Sequence, residues 1–273
     1  MLLSRLVTAL ILVPLVFLAV LKLTEGWFTL LLDLVVLAAC WELTRLAGLK
    51  SMNLRLLTVL FMGVVLYFLY VLEKEPWTSG FLKLLAAWWL LNLVILLSGK
   101  IRILPFEGRK PLRLLIGMLF LAGAWLALAK LHALPEVGPE LMMFLLVLVW
   151  IADSAAYFTG RALGRHKLAP AISPGKTVEG ALGALLSALI PAAFLVWTRW
   201  VEAPPWALVL LCILTVAVSI GGDLWESVLK RERGIKDSGN ILPGHGGVLD
   251  RIDSQIAASP FFVAGLMVVG VPL

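Results

Sequence analysis

Histidine and cysteine are scarce in this chain. The three histidines stand far apart at positions 132, 166 and 245, which makes a zinc site a poor reading. The two cysteines, Cys40 and Cys212, both lie in apolar runs. That argues against a disulfide framework and for buried, inert thiols. Charge is also thin. Only 15% of the 273 residues are charged, 61% are hydrophobic, and the mean hydropathy is +1.00. No soluble domain of this size needs so much apolar surface, so the chain reads as an integral membrane protein. No internal repeat and no low-complexity linker divides it. The first apolar run, Leu6 to Leu21, lacks a small-residue cleavage site, and another apolar run follows at once. It reads as an uncleaved first helix rather than a signal peptide.

Apolar runs of spanning length recur, and the spacing predicts nine helices over 6–22, 26–46, 55–72, 81–98, 112–130, 140–160, 178–199, 205–228 and 255–272. The basic residues alternate with them. Eighteen of the 23 Lys and Arg fall on one side: Arg5, the group Arg45 to Arg55, the group Lys100 to Arg113, the group Arg161 to Lys176 and the group Lys230 to Arg251. Lys22, Lys74, Lys83, Lys130 and Arg199 fall on the other. This bias assigns the richer side to the cytoplasm, with the N-terminus inside and the C-terminus outside. It also accounts for the net charge of +6 without nucleic acid as a partner. Trp27, Trp77, Trp197, Trp200 and Trp206 fall near predicted outer ends, as interface tryptophans do. Trp88, Trp89 and Trp225 fall inside spans and are expected to pack between helices.

The chain divides by chemistry into residues 1–135, mostly plain scaffold helix, and 136–273, a catalytic region with two polar segments. The first segment runs from Asp153 to Gly180. Asp153 lies about two turns inside the sixth predicted span, and an intramembrane carboxylate is a functional candidate by default. The plain alternative is a hydrogen bond between helices. Gly175-Lys176-Thr177 resembles the end of a P-loop, but Pro170 stands where the first glycine belongs and no strand is expected before it. A P-loop is therefore rejected. Lys176 remains a phosphate candidate, and Thr177 with Glu179 suits the start of a helix.

The second segment, Ser227 to Asp253, is denser. With Asp223 just upstream it brings together five basic residues, five carboxylates, His245 and Gly246-Gly247. Asp223, Ser227 and Lys230 share one helical stripe. Asp250 and Asp253 open the last helix, where a carboxylate can also serve as a cap. Oxygen-only candidate ligands favour Mg²⁺, and Asp223 and Asp250 are the first choices, with Asp153 and Asp253 behind them. Gly244, Gly246 and Gly247 permit positive φ, which can aim backbone N–H groups at phosphate oxygens. Acidic and basic groups crowded at a lipid boundary point to metal-assisted phosphoryl chemistry on a lipid.

Ser227, Lys230-Arg231, Lys236-Asp237, Pro243-Gly244-His245-Gly246-Gly247 and Asp250-Arg251-Ile252-Asp253 together resemble the signature of the phosphatidate cytidylyltransferase (CDP-diacylglycerol synthase) family. The Asp153 to Gly180 segment is similar to that family's second polar region. The resemblance implies that CTP and phosphatidate give CDP-diacylglycerol and pyrophosphate in phospholipid biosynthesis. It also implies Mg²⁺, with K⁺ beside it, a homodimer, and an all-α polytopic protein in the bacterial inner membrane whose site faces the cytoplasm. The candidates for catalysis are Asp223, Asp250, Lys230 and Arg231. Those for substrate binding are Lys167, Ser173, Lys176, Thr177, Ser227, Lys236, Asp237, His245, Gly246, Gly247 and Arg251.

Two other readings stay open on the residues. A CTP-dependent polyprenol kinase also needs acidic and basic groups near the membrane. An ion or organic-anion transporter would use Asp153 and Asp223 in its pathway, though transporters bind nearer the midplane.

Overall fold

All nine predicted spans fall on helices in the computed structural model, which describes residues 2–98, 110–241, 244 and 246–273. The basic residues Lys100, Arg102 and Arg109 and the candidate His245 lie outside the described residues. The helices are α1 (Leu2–Lys22), α2 (Glu25–Leu46), α3 (Met52–Leu72), α4 (Pro76–Leu97), α5 (Lys110–His132) and α6 (Gly138–Leu163), then, after two short strands, α7 (Val178–Ser187), α8 (Leu189–Thr198), α9 (Pro205–Glu232) and α10 (Leu249–Val268). Among the described residues seven helical stretches are long and apolar enough to cross a bilayer, and α1 adds a shorter apolar stretch, Leu10–Lys22. The protein is an all-α polytopic membrane protein.

The seventh predicted span is two helices, α7 and α8, that meet at Ala188. Pro191 accounts for the break. It has no N–H to give the carbonyl four residues back, Ser187, and its ring crowds that carbonyl. The last predicted span starts six residues too late. Helix α10 begins at Leu249, because hydropathy registers the apolar stretch and not the polar helical turn, with Asp250, Arg251 and Asp253, that leads into it.

Strands β1 (Lys167–Ala169) and β2 (Ser173–Thr177) pair antiparallel, Lys167 opposite Thr177 and Ala169 opposite Ser173. The expectation that no strand precedes Gly175 is thereby overturned. Three residues without alternation gave β1 no sequence signal. Rejection of the P-loop stands, since Gly175, Lys176 and Thr177 lie in extended backbone and not in a loop that wraps a phosphate.

Helix α10 packs on α9, α4 and α5, so both chemical halves of the chain share one core. Its aromatic centre is Trp89, Phe120 and Trp225, with ring centroids 4.4 to 6.2 Å apart. Trp89 and Trp225 pack inside as expected, but Trp88 turns outward at 37% exposure. Trp27, Trp77, Trp197 and Trp206 are exposed, whereas Trp200, also expected at an outer end, is half-buried against Phe194. Cys40 and Cys212 are buried and free.

Small residues set the closest helix approaches. A Cβ on Gly222 of α9 would stand 2.5 Å from the Asp253 carbonyl and 2.9 Å from Ala257 Cβ on α10. A Cβ on Gly180 of α7 would stand 2.8 Å from the Ala156 carbonyl on α6. Both seams run beside the polar residues described next.

Candidate functional site

A cavity of about 580 Å³ opens between α6, the β1–β2 hairpin, α7 and α9. Ala152, Ala156, Ala181 and Ala184 give it small apolar walls, and Asp153, Lys176 and Asp223 give it charge. Asp153 is exposed into this space. Lys176 reaches across from β2, and its Nζ lies 2.6 Å from Asp223 Oδ2 on α9. Ser227, one turn on, donates to Asp223 Oδ1 at 3.3 Å. Asp153 and Asp223 are close enough for their charges to repel.

Ser173 and Thr177 also line the cavity. Thr177 has a second duty, because its Oγ1 accepts from Gly180 N at 3.1 Å and caps α7. Glu179 accepts from the backbone N–H groups of Arg165 and His166 and contacts His166 Nδ1 at 2.6 Å. It thus secures the turn between α6 and the hairpin.

Next to the cavity lies a charged group built by α9, α10 and the segment between them. Lys230 Nζ donates to Glu226 Oε2 at 2.5 Å and to Asp250 Oδ1 at 2.8 Å. Asp250 Oδ2 accepts from the N–H of Ser238 and of Gly247, both at 2.9 Å. Burial pushes the Asp250 pKa up. The Lys230 ammonium and the two N–H donors outweigh it and hold the carboxyl below its ordinary range. Asp250 sits in the turn ahead of the apolar part of α10. Gly244 (φ 75°) and Gly246 (φ 83°) take the left-handed conformation, whereas Gly247, also singled out for positive φ, does not and spends its N–H on Asp250. A Cβ on Gly246 would stand 2.7 Å from Asp250 Oδ2, so only glycine leaves that carboxylate room. Asp253 is half-buried, accepts from Ser254 N at 2.7 Å and feels the charges of Asp223 and Asp153.

The structure therefore joins Asp153, Ser173, Lys176, Thr177 and Asp223 at one cavity, with Ser227 hydrogen-bonded to Asp223 behind it. Lys230, Asp250 and Asp253 adjoin it without lining it. Arg231 is engaged elsewhere: its Nε donates to the Ile172 carbonyl at 2.8 Å and ties α9 to the hairpin. Lys167, Lys236, Asp237 and Arg251 are exposed and do not line the cavity. Two carboxylates carry more of this architecture than the sequence reading gave them. Glu226 is fully buried against Lys230. Glu42, on α2, is 2% exposed and accepts from Ser238 Oγ and Leu249 N. The signal for both was available, since each is a carboxylate within an apolar helix.

The donor chemistry fits a hard cation. Mg²⁺ is commonly held by one or two carboxylates together with substrate phosphates and water, and Asp153 and Asp223 offer such oxygens at an open cavity. No ready-made cage of three or more His, Cys, Asp or Glu exists among the described residues.

A cytidylyltransferase family model matches residues 3–269 of the chain. The chain is 38% identical to a phosphatidate cytidylyltransferase of Haemophilus influenzae, covering 96% of this chain and 97% of the relative. It is 42% identical to the protein of that name from Pseudomonas aeruginosa, over 99% and 98% of the two lengths. It is 33% identical to the one from Bacillus subtilis, over 86% of each.

Proposed function

The chain belongs to the cytidylyltransferase family, and from that premise we propose that it transfers the cytidylyl group of CTP to phosphatidate, giving CDP-diacylglycerol and pyrophosphate. The comparisons offer no support for a lipid kinase or a transporter. The observation that carries this reading is the two-natured cavity. Its small-residue walls on α6 and α7 suit a lipid glycerol backbone, and Asp153, Lys176 and Asp223 suit phosphates and their counter-ion.

The phosphatidate phosphate oxygen attacks the α-phosphorus of CTP. A P–O bond forms there as the bond from the α-phosphorus to the β-bridging oxygen breaks, and pyrophosphate leaves with that electron pair. The nucleophile is already an anion, so no strong general base is needed. The barrier lies in bringing two phosphates together, and positioning and charge stabilisation lower it. Lys176 meets the phosphates in the cavity, and Ser227 orients Asp223. Lys230 balances Asp250 and Glu226, and Arg231 steadies the hairpin that carries Lys176. The exposed Lys167, Lys236 and Arg251 add positive charge for an incoming nucleotide. When bound, Mg²⁺ would be held by Asp223 with Asp153 or Asp250 and would neutralise the triphosphate. K⁺ belongs to the same proposal without an assigned residue.

A pyrophosphate-release assay with CTP, phosphatidate and Mg²⁺ tests the function. Pyrophosphate is expected in step with CDP-diacylglycerol. Release of CDP in its place would make the protein a kinase.

In this reading the polar segments face the cytoplasm, with the N-terminus inside and the C-terminus outside a bacterial inner membrane. The bias of eighteen basic residues among 23 supports it. A cysteine at Asn240, which is exposed, should label only from the cytoplasmic side of sealed vesicles. Gly239 would be a poor probe, since a side chain there runs into Glu42. Native Cys40 and Cys212 are buried and should give little background. Labelling of the Asn240 variant from the outer side alone would refute this topology.

A further inference from the structure

Helix α10 opens without a cap of its own. Its N-cap is Val248, which has no side chain able to accept a hydrogen bond. The first N–H groups of a helix need partners when they are buried. The partner here comes from a distant helix. Leu249 N donates at 2.8 Å to Glu42 Oε2 on α2, and Ser238 Oγ donates to the same oxygen at 3.1 Å. Ser238, Leu249 and Glu42 are all buried. Gly239 and Gly247 press on the same carboxylate so closely that a Cβ on either would collide with it.

The two residues that flank Glu42 also grip Asp250. Ser238 gives its hydroxyl to Glu42 and its N–H to Asp250 Oδ2. Gly247 packs on Glu42 and gives its N–H to the same Asp250 oxygen. Asp250 itself is one residue past Leu249. One buried carboxylate therefore holds both Ser238 and Leu249, and Ser238 and Gly247 supply two of the three donors that orient Asp250.

We propose that Glu42 is a positioning residue for the transfer reaction, acting from the N-terminal scaffold to hold Ser238, Gly247 and Leu249 in place so that Asp250 keeps its orientation. The proposal rests on Asp250 serving the reaction as read above. Glu42 is buried and does not line the cavity, so its effect passes through Ser238, Gly247 and the first turn of α10. The essential feature is a hydrogen-bond acceptor at the Oε2 position. Gln retains one, Leu does not, and Asp draws it back by one methylene.

The test uses the full-length protein in detergent as the variants Glu42→Leu, Glu42→Asp and Glu42→Gln. Two quantities are read: amide hydrogen exchange over residues 238–250, and steady-state kinetics. Exchange reports on the anchor whether or not Asp250 is catalytic. In Glu42→Leu, exchange in this segment should quicken, and kcat should fall at least about tenfold while KM for CTP stays within about twofold. Glu42→Gln should recover most of both. If Glu42→Leu does not fold, Glu42→Asp decides on the same two readouts. Unchanged exchange in a folded variant overturns the proposal, and so does faster exchange with wild-type kcat. An equal loss in the Gln variant overturns the acceptor argument. Normal turnover by Asp250→Asn would instead refute the role of Asp250, while the exchange result would still report on the anchor.

Discussion

Replacing Asp250 by Asn is expected to cut turnover by about a hundredfold or more while leaving a folded protein, and Asp223→Asn should do likewise. The case is strongest for Asp250. Its Oδ1 accepts from Lys230, and its Oδ2 accepts from two backbone N–H groups. Both sides of the carboxylate face donors. An asparagine amide has one accepting oxygen and one donating NH₂, so either orientation sets a donor against a donor. The segment or the side chain must then shift. Asp223 loses differently. Its Oδ2 lies 2.6 Å from Lys176 Nζ, and the neutral amide gives up that ion pair along with a candidate cation ligand. Asp223→Asn should therefore also raise the Mg²⁺ concentration for half-maximal activity. Kinetics across a Mg²⁺ series, with circular dichroism to check the fold, would test both. Near-normal turnover with unchanged Mg²⁺ dependence in both variants would remove the pair from the site.

Lys230 should be the most costly basic residue to lose. Its ammonium stands between Glu226, which is fully buried, and Asp250. Lys230→Met leaves two carboxylates without their shared cation. Breaking a buried ion pair from one side costs about 3–5 kcal/mol, far more than an exposed pair is worth. Thermal unfolding in detergent should register that loss, and activity should fall with it. An interfacial lysine that merely anchors α9 predicts the opposite for a conservative change, because Arg anchors equally well. The slot is fitted to a point charge at 2.5 and 2.8 Å from two carboxylates on different helices. A planar guanidinium spreads its donors differently and needs more room. Lys230→Arg is therefore expected to lose at least about tenfold in kcat/KM, or ~1.4 kcal/mol. Exchanging the pair, Lys230→Arg with Arg231→Lys, should be no better, since Arg231 Nε is committed to the Ile172 carbonyl. Wild-type kinetics in either variant would favour anchoring.

The spans were legible because a bilayer demands long apolar runs, and every predicted run falls on helix, although the seventh breaks at Ala188 and the last outruns α10 beyond Val268. The charged candidates were legible for the same reason inverted: a carboxylate in such a run is conspicuous. Asp153 stands out on that ground and Asp223 by the stripe it shares with Ser227 and Lys230, and both line the cavity. What the sequence did not reveal is who faces whom. Lys230 was read by its helical stripe as facing Asp223, but its ammonium bonds Glu226 and Asp250. Helical periodicity aligns Cα positions, and a four-carbon side chain can turn to a partner off its stripe. The hairpin was hidden because two short strands without alternation carry no period. Glu42 is conspicuous as a carboxylate within an apolar helix, but its role is not, because its partners lie about two hundred positions along the chain. Trp88 was expected to pack inward beside Trp89, but neighbours in a helix point about 100° apart, and only one of them can face the core.

In the proposed reaction the contact between Lys176 and Asp223 would act as a lock with two keys. At rest each group occupies the other. An anion that engages Lys176 frees Asp223 from its counter-charge, and a cation that engages Asp223 frees Lys176. Each arrival therefore lowers the cost of the other, and linkage makes the benefit equal in both directions. Nucleotide and cation should bind with positive heterotropic coupling, and the enzyme should favour their joint presence over either one alone.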